Sequence, residues 1–279
     1  MSYKVIIDSC GELTDEMKES GIFETASLSM QVDGFNIVDD ETFDQADFLK
    51  RVAASPACPK SSCPSPERYM ESYCGDAKRV YAVTLSSELS GSYNSAELGR
   101  KLYAEEHGAK DIHVFNSRSA SVGETLIGMK IQECEKAGMS FQEVVRCVEA
   151  YIKGQNTYFV LETLDTLRKN GRLTGIKAMV ASALNIKPVM GASSEGDICQ
   201  LGQARGMKKS LAKMEEYIQR DIRKSEEKVL AISHCNCRER ALEVQKFLIE
   251  HIKVKSSFIV DTAGISSMYA NDGGIIVVV

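Results

Sequence analysis

The chemistry that stands out in this chain is a crowd of hydroxyls. The stretch Val80 to Ala96 reads Val-Tyr-Ala-Val-Thr-Leu-Ser-Ser-Glu-Leu-Ser-Gly-Ser-Tyr-Asn-Ser-Ala, in which apolar strand-forming residues give way to serines. If Val80–Val83 is a strand and the residues after Gly91 a helix, Ser90 and Gly91 fall where the first helical turn leaves its amide hydrogens unpaired. Hydroxyls, backbone donors and the positive end of the helix dipole then converge, which is the arrangement that holds a carboxylate or a phosphate. Serines at such a place also serve as ordinary helix caps.

A second cluster, Lys60-Ser61-Ser62-Cys63-Pro64-Ser65-Pro66, is a polar turn whose prolines fix the backbone and whose hydroxyls would reach the same anion if the fold joins the two segments. Four of the five prolines fall between Pro56 and Pro66. Alone, the cluster also fits a plain connecting loop.

Together the two segments resemble the DegV family, in which a Thr-Ser-Gln-Pro-Ser-like loop precedes a Leu-Ser-Ser-x-Leu-Ser-Gly-Thr/Ser-Tyr-x-Ser motif. The resemblance extends over essentially the whole chain, through Asp8-Ser9, Leu164–Leu173 and Leu184-Asn185-Ile186-Lys187-Pro188-Val189. Members of this family, including the FakB subunits of bacterial fatty acid kinase, bind a long-chain fatty acid by its carboxyl group. The resemblance therefore implies a cytoplasmic, bacterial lipid-binding carrier that holds an acyl chain such as palmitate. It presents the carboxylate to a separate kinase for phosphorylation, with no cofactor of its own. The loop threonine falls on Ser61 and the serine of Leu-Ser-Gly on Ser90, and both keep the hydroxyl. Arg205, in Gln203-Ala204-Arg205-Gly206, corresponds to an arginine of the family's head-group region. Arg172, in Asn170-Gly171-Arg172-Leu173, matches a turn on the surface that meets the kinase. By sequence alone the first reads equally as an exposed helix-start arginine, and the second as an ordinary turn after a helix capped by Gly171.

Two positions depart from the family pattern. Cys63 replaces the loop glutamine, so an amide contact is lost. Tyr269, in Tyr269-Ala270-Asn271-Asp272-Gly273-Gly274, stands where many members place a histidine. A phenol donates a hydrogen bond but carries no charge at neutral pH, so a role for a positive imidazolium is not available. Asn116 likewise replaces a common aspartate in the turn Asn116-Ser117-Arg118-Ser119, which reads as structural.

Catalytic equipment is not visible. The chain has no Gly-x-Ser-x-Gly elbow, no glycine-rich nucleotide fingerprint, and only four histidines, none in a triad context. The rival reading is a serine-based hydrolase or phosphotransferase on a small anionic substrate at the same site, with His113 as the nearest base in sequence. A third is a lipid reservoir with no kinase partner. Nine cysteines, an odd number spread along the chain, do not form a disulfide framework. His234-Cys235-Asn236-Cys237 lacks the second ligand pair that a closed metal site needs.

The chain has 279 residues, 43% of them hydrophobic and 26% charged, enough for a large core in two domains. A net charge of −5 argues against a nucleic-acid partner. No eighteen-residue apolar run suggests a membrane span, and Met1-Ser2-Tyr3-Lys4-Val5 leads into a strand rather than a signal peptide.

Short apolar runs at Val5–Ile7, Val80–Val83, Ile112–Phe115, Tyr158–Leu161, Val229–Ile232 and Phe258–Val260 predict buried strands, and the stretches between them predict helices. One helix opens with the capping box Ser140–Glu143. The expected architecture is α/β in two domains. Residues 1–155 would hold a helix-flanked parallel sheet with the head-group serines, and residues 156–279 a mixed α/β domain, with the boundary near Lys153-Gly154-Gln155-Asn156. In such sheets ligands gather beyond the carboxyl ends of strands, where Ser90 falls. The tail needs an apolar slot, for which Leu28, Phe115, Met129, Leu161 and Met190 are candidates as well as core residues.

Overall fold

A computed structural model of the chain describes residues 2–173 and 185–279. Leu184, which opens the Leu184–Val189 segment, and Met1 lie outside the described residues. The chain begins with β1 (Tyr3–Asp8), α1 (Asp15–Glu19) and β2 (Phe23–Ala26), followed by the hairpin β3 (Ser29–Val32) and β4 (Phe35–Val38). Helix α2 (Gln45–Ala54), β5 (Lys60–Ser62), α3 (Pro66–Tyr73), β6 (Arg79–Thr84), α4 (Ser92–His107), β7 (Asp111–Asn116), α5 (Val122–Lys136) and α6 (Phe141–Lys153) come next. The remainder comprises β8 (Thr157–Val160), α7 (Asp165–Lys169), β9 (Ile186–Ala192), β10 (Ile198–Arg205), α8 (Met207–Asp221), β11 (Val229–His234), α9 (Arg238–His251), β12 (Ser256–Asp261), α10 (Gly264–Ala270) and β13 (Ile275–Val278).

The strands form three sheets. The first, in the order β2-β1-β6-β7, is parallel throughout. Its central strands β1 and β6 are buried on both faces, which is why they read as unbroken apolar runs. Val5 and Ile7 pack with Ile127, Ile131, Val144 and Val148 from α5 and α6, whereas Ile6 between them packs with Tyr69, Tyr73 and Ala96 from α3 and α4. That split follows from the two-residue period of a strand. The amide of Ser140 donates to Glu143 at 2.8 Å, completing the capping box that starts α6.

The second sheet runs β10-β9-β8-β13-β11-β12 and is mixed: only the β11–β12 pair is parallel. Helices α8 and α9 cover one face through Met214, Ile218, Val244 and Leu248. On the other face Val122 and Leu126 of α5 meet Ala231 and Val278, so α5 packs against both large sheets. The third sheet, β4-β3-β5, is small and antiparallel. It was not expected from sequence, and it changes the setting of Ser61. Rather than riding on a loop, Ser61 sits in β5 opposite Met30. The same sheet packs against α10 through Leu28, Met30, Ile265 and Met268. No helix among the described residues is long and apolar enough to cross a membrane.

Candidate functional site: an apolar cavity with one polar end

Asp8 sets the position of the serine-rich turn. Its carboxylate, at the end of β1, accepts the amides of Leu85 at 2.8 Å and Cys10 at 3.1 Å, tying the carboxyl ends of two adjacent parallel strands together. From Leu85 the chain turns through Ser86, whose carbonyl accepts the Leu89 and Ser90 amides. Helix α4 then starts at Ser92, with Gly91 as a cap that has no side chain to offer. Ser90 compensates by accepting the Ser92 amide at 3.2 Å. A Cβ at position 91 would lie 3.2 Å from Cys63 Sγ, a tight contact, so glycine here lets the segment after β5 close against the start of α4.

Tyr269, in the last turn of α10, brings its hydroxyl to 3.0 Å from Ser61 Oγ. Arg172 completes the group. Helix α7 ends in a Schellman arrangement, with the Gly171 amide on the Arg168 carbonyl and the Arg172 amide on the Leu167 carbonyl, and Gly171 at φ +76°. The turn directs the Arg172 guanidinium back into the molecule, where Nε donates to the Leu89 carbonyl at 3.1 Å and Nη1 to that of Asn170 at 2.7 Å. Its carbon lies 6.0 Å from the centre of the Tyr269 ring, within cation–π range.

Ser61, Ser90, Arg172 and Tyr269 all line one cavity of about 340 Å³, a size suited to a small ligand. Leu28, Leu85, Phe159, Leu161, Ile265 and Ile276 give it apolar walls. Among its described lining residues Arg172 is the only one with a charged side chain. One guanidinium and three hydroxyls at one end of a hydrocarbon-lined space can hold a carboxylate and shelter an apolar chain.

Other expectations fare differently. Arg205 is exposed at the end of β10 and does not line the cavity. Ile198, at the opposite end of that strand, does line it, and the intervening extended chain carries Arg205 about 20 Å away. Arg172, expected on a partner-facing surface, is half-buried and lines the cavity wall. Of the proposed tail contacts, Leu28 and Leu161 line the cavity. Phe115 and Met190 sit in neighbouring cores, and Met129 borders a separate charged cleft. Cys10, Ser119, Ser121, Thr157 and Ser266 also line the cavity, and sequence reading missed them. Ser119 closes the turn that had been read as structural, so only its position just past the end of β7 could have marked it.

None of the four histidines lines the cavity. His113 points to Glu149 at 3.5 Å, and burial holds its ring below the ordinary histidine range. No histidine therefore stands beside Ser90 to serve as its base. His234 Nδ1 accepts the Cys237 amide, and among the described residues no group of three or more His, Cys, Asp or Glu is arranged to hold a metal.

Behind the cavity lies a set of buried carboxyls. Ser121, in the cavity wall, donates to Glu12 at 2.8 Å, and burial pushes the Glu12 carboxyl up to about 7. Asp39 accepts the amides of Gly264 and Ile265 at 2.7 and 2.8 Å, holding the start of α10, and burial raises it to about 6.

The fold and the site define an α/β protein with two large helix-covered sheets and an amphipathic cavity. A family model described as an uncharacterised protein of the DegV family matches residues 2–279, and this chain belongs to the DegV family. It is similar to a DegV domain-containing protein of Streptococcus gordonii, 33% identical over 99% of this chain and 98% of that one. A crystal structure of a DegV family protein from Ruminococcus gnavus, refined with vaccenic acid, superposes with a TM-score of 0.98 at 64% identity, covering 100% of both chains. The Fatty Acid Kinase B3 protein of Streptococcus pneumoniae, loaded with linoleic acid, superposes with a TM-score of 0.89 at 31% identity, covering 100% of this chain and 99% of that one.

Proposed function

We propose that this protein is a cytoplasmic carrier of a long-chain fatty acid. The carboxylate is held by Ser61, Ser90, Tyr269 and Arg172, and the tail occupies the apolar cavity between two domains, residues 1–155 and 156–279. The observation that carries the reading is the gathering of three hydroxyls and the one charged residue among the described lining at one end of a largely apolar space. Burial of each methylene contributes about 0.8 kcal/mol, so a sixteen-carbon chain gains roughly ten kcal/mol before association costs. The head-group contacts then fix register and deny water to the carboxylate. The fatty acids in the Ruminococcus gnavus and Streptococcus pneumoniae relatives support this reading.

The carrier presents its carboxylate to a separate kinase, which transfers the terminal phosphoryl group of ATP to a carboxylate oxygen, giving acyl phosphate and ADP. The chain's own part is to position one carboxylate oxygen for that transfer and to exclude water. Two measurements test the reading. Palmitate binding should weaken in Ser61→Ala with Ser90→Ala. Acyl phosphate should form only when carrier, kinase and ATP are all present. Undiminished lipid retention in the double variant would contradict the assignment.

A further inference from the structure

Glu12 stands in the wall between the cavity and a separate surface cleft. It is 5% exposed and lines the cleft, whereas Ser121, which donates to Glu12 Oε2 at 2.8 Å, lines the cavity. One hydrogen bond thus joins the two spaces. The other carboxylate oxygen, Oε1, faces the Ala263 amide at 3.4 Å, just before α10. That helix brings Ile265, Ser266 and Tyr269 to the cavity, and the Ser266 hydroxyl also lies against Glu12. Tyr269 follows Ser266 by three residues, about 4.5 Å of helix rise, so a carboxylate at the Tyr269 hydroxyl lies on the order of 10 Å from Glu12.

At that separation a second negative charge raises a carboxyl by about one pH unit when the effective dielectric constant is roughly 20. Arg172 is present before and after binding, so the change that Glu12 meets is the added negative charge. Burial already brings the Glu12 carboxyl up to about 7, where a further push alters its charge near neutral pH. Cys10 in the same loop and Glu124 of α5 face it from the core, and burial pushes both toward their neutral forms. From β11 comes the uncharged Ser233 hydroxyl, 2.6 Å from Ser121. Across the cleft stand Asp15 and Lys18 of α1, Asp39, Asp40 and Glu41 after β4, Asp261 of β12 and Arg238 of α9. Asp39, raised to about 6, titrates below Glu12, and the exposed charges are of both signs and screened by solvent.

We infer that Glu12 takes up a proton through the cleft when a fatty-acid carboxylate enters the cavity, so that acyl binding and proton binding reinforce each other. The proton comes from water or buffer and neutralises the Glu12 carboxylate, and no bond of the acyl chain changes. The inference rests on the fatty-acid reading above. The test is titration calorimetry of the full chain with palmitate in buffers of different ionisation enthalpy, which counts protons per ligand, with hexadecanol as the uncharged ligand of equal length. At pH 7.5 wild type should take up about half a proton more per palmitate than Glu12→Gln does, and at pH 9.5 the difference should vanish. Hexadecanol should bring in no proton at either pH. Equal uptake by wild type and Glu12→Gln at pH 7.5, or equal uptake by wild type with palmitate and hexadecanol, overturns the inference. The comparison of the two ligands uses wild type alone and decides the matter where the variant does not fold. Failure of palmitate to bind at all would overturn the fatty-acid reading and this inference with it.

Discussion

Ser61 Oγ and Tyr269 OH stand 3.0 Å apart although 208 positions separate them in the chain. The contact joins the small antiparallel sheet to the last helix, and it makes the tyrosine a working part of the polar end rather than a bystander at a histidine position. Tyr269→Phe keeps the ring and deletes the hydroxyl, so palmitate affinity should fall roughly tenfold, the worth of one hydrogen bond to a charged group. Tyr269→His should bind palmitate more tightly at pH 6 than at pH 8, because an imidazolium adds charge that the phenol lacks. Titration calorimetry at the two pH values checks both; equal affinity of wild type and Tyr269→Phe would remove the hydroxyl from the site.

Arg172 is anchored to Leu89 and Asn170 while facing the cavity. Arg172→Ala should therefore weaken acyl binding itself by at least tenfold, with Arg172→Lys recovering only part, since a lysine cannot reproduce the planar fork. If the alanine variant held palmitate normally and lost only acyl phosphate formation, the residue would belong to a partner surface.

The carboxyl of Glu12 is raised from 4.5 to about 7 by burial, and that of the buried Glu215 likewise to about 7. In both cases the folded state binds a proton that the unfolded chain has already released. The stability so gained is present below the unfolded values and is lost as pH rises through about 7. His113 and His234 are lowered by burial and act in the opposite sense as pH falls through the ordinary histidine range. The melting temperature should thus be nearly flat above about pH 7.5 and rise as pH falls from about 7 toward about 5, with Glu12, Glu215 and Asp39 outweighing the two histidines, and Glu12→Gln should shrink the rise. A midpoint that falls over that interval would contradict the burial of these carboxyls.

Gly196, in the turn between β9 and β10, has φ +97°, and a Cβ there would lie 2.8 Å from the Arg118 Cα. Its carbonyl accepts the Ser86 hydroxyl at 2.9 Å, so the two large sheets meet at this point. Gly196→Ala should cost about 1–3 kcal/mol, whereas Gly171→Ala, also at positive φ but with open space around it, should cost less. Denaturant unfolding of the two variants compares them directly.

The parallel sheet was legible because its central strands β1 and β6 are buried on both faces, and Val5–Ile7, Val80–Val83 and Ile112–Phe115 all fall inside observed strands. Ser90 was legible for a related reason, since a serine-glycine pair between a strand and a helix has few other places to go. The β3–β4 hairpin was hidden because Phe35–Val38 is largely exposed and shows no apolar run, and β5 because three residues flanked by prolines resemble a turn. The chain's last strand, Ile275–Val278, was missed although it is as apolar as the short runs read as strands. For Arg172 and Arg205 the surroundings were not legible, for one cause. Sequence gives the residue type at a turn or strand end, but the direction of the side chain is set by the Schellman turn in one case and by the edge position of β10 in the other.

Native mass spectrometry of the purified protein, followed by solvent extraction and identification of any copurifying small molecule, tests the central claim most directly. The account predicts close to one fatty acid per chain, displaced by added palmitate and much depleted in Ser61→Ala with Ser90→Ala. A protein that is empty as purified and takes up neither palmitate nor oleate would contradict it.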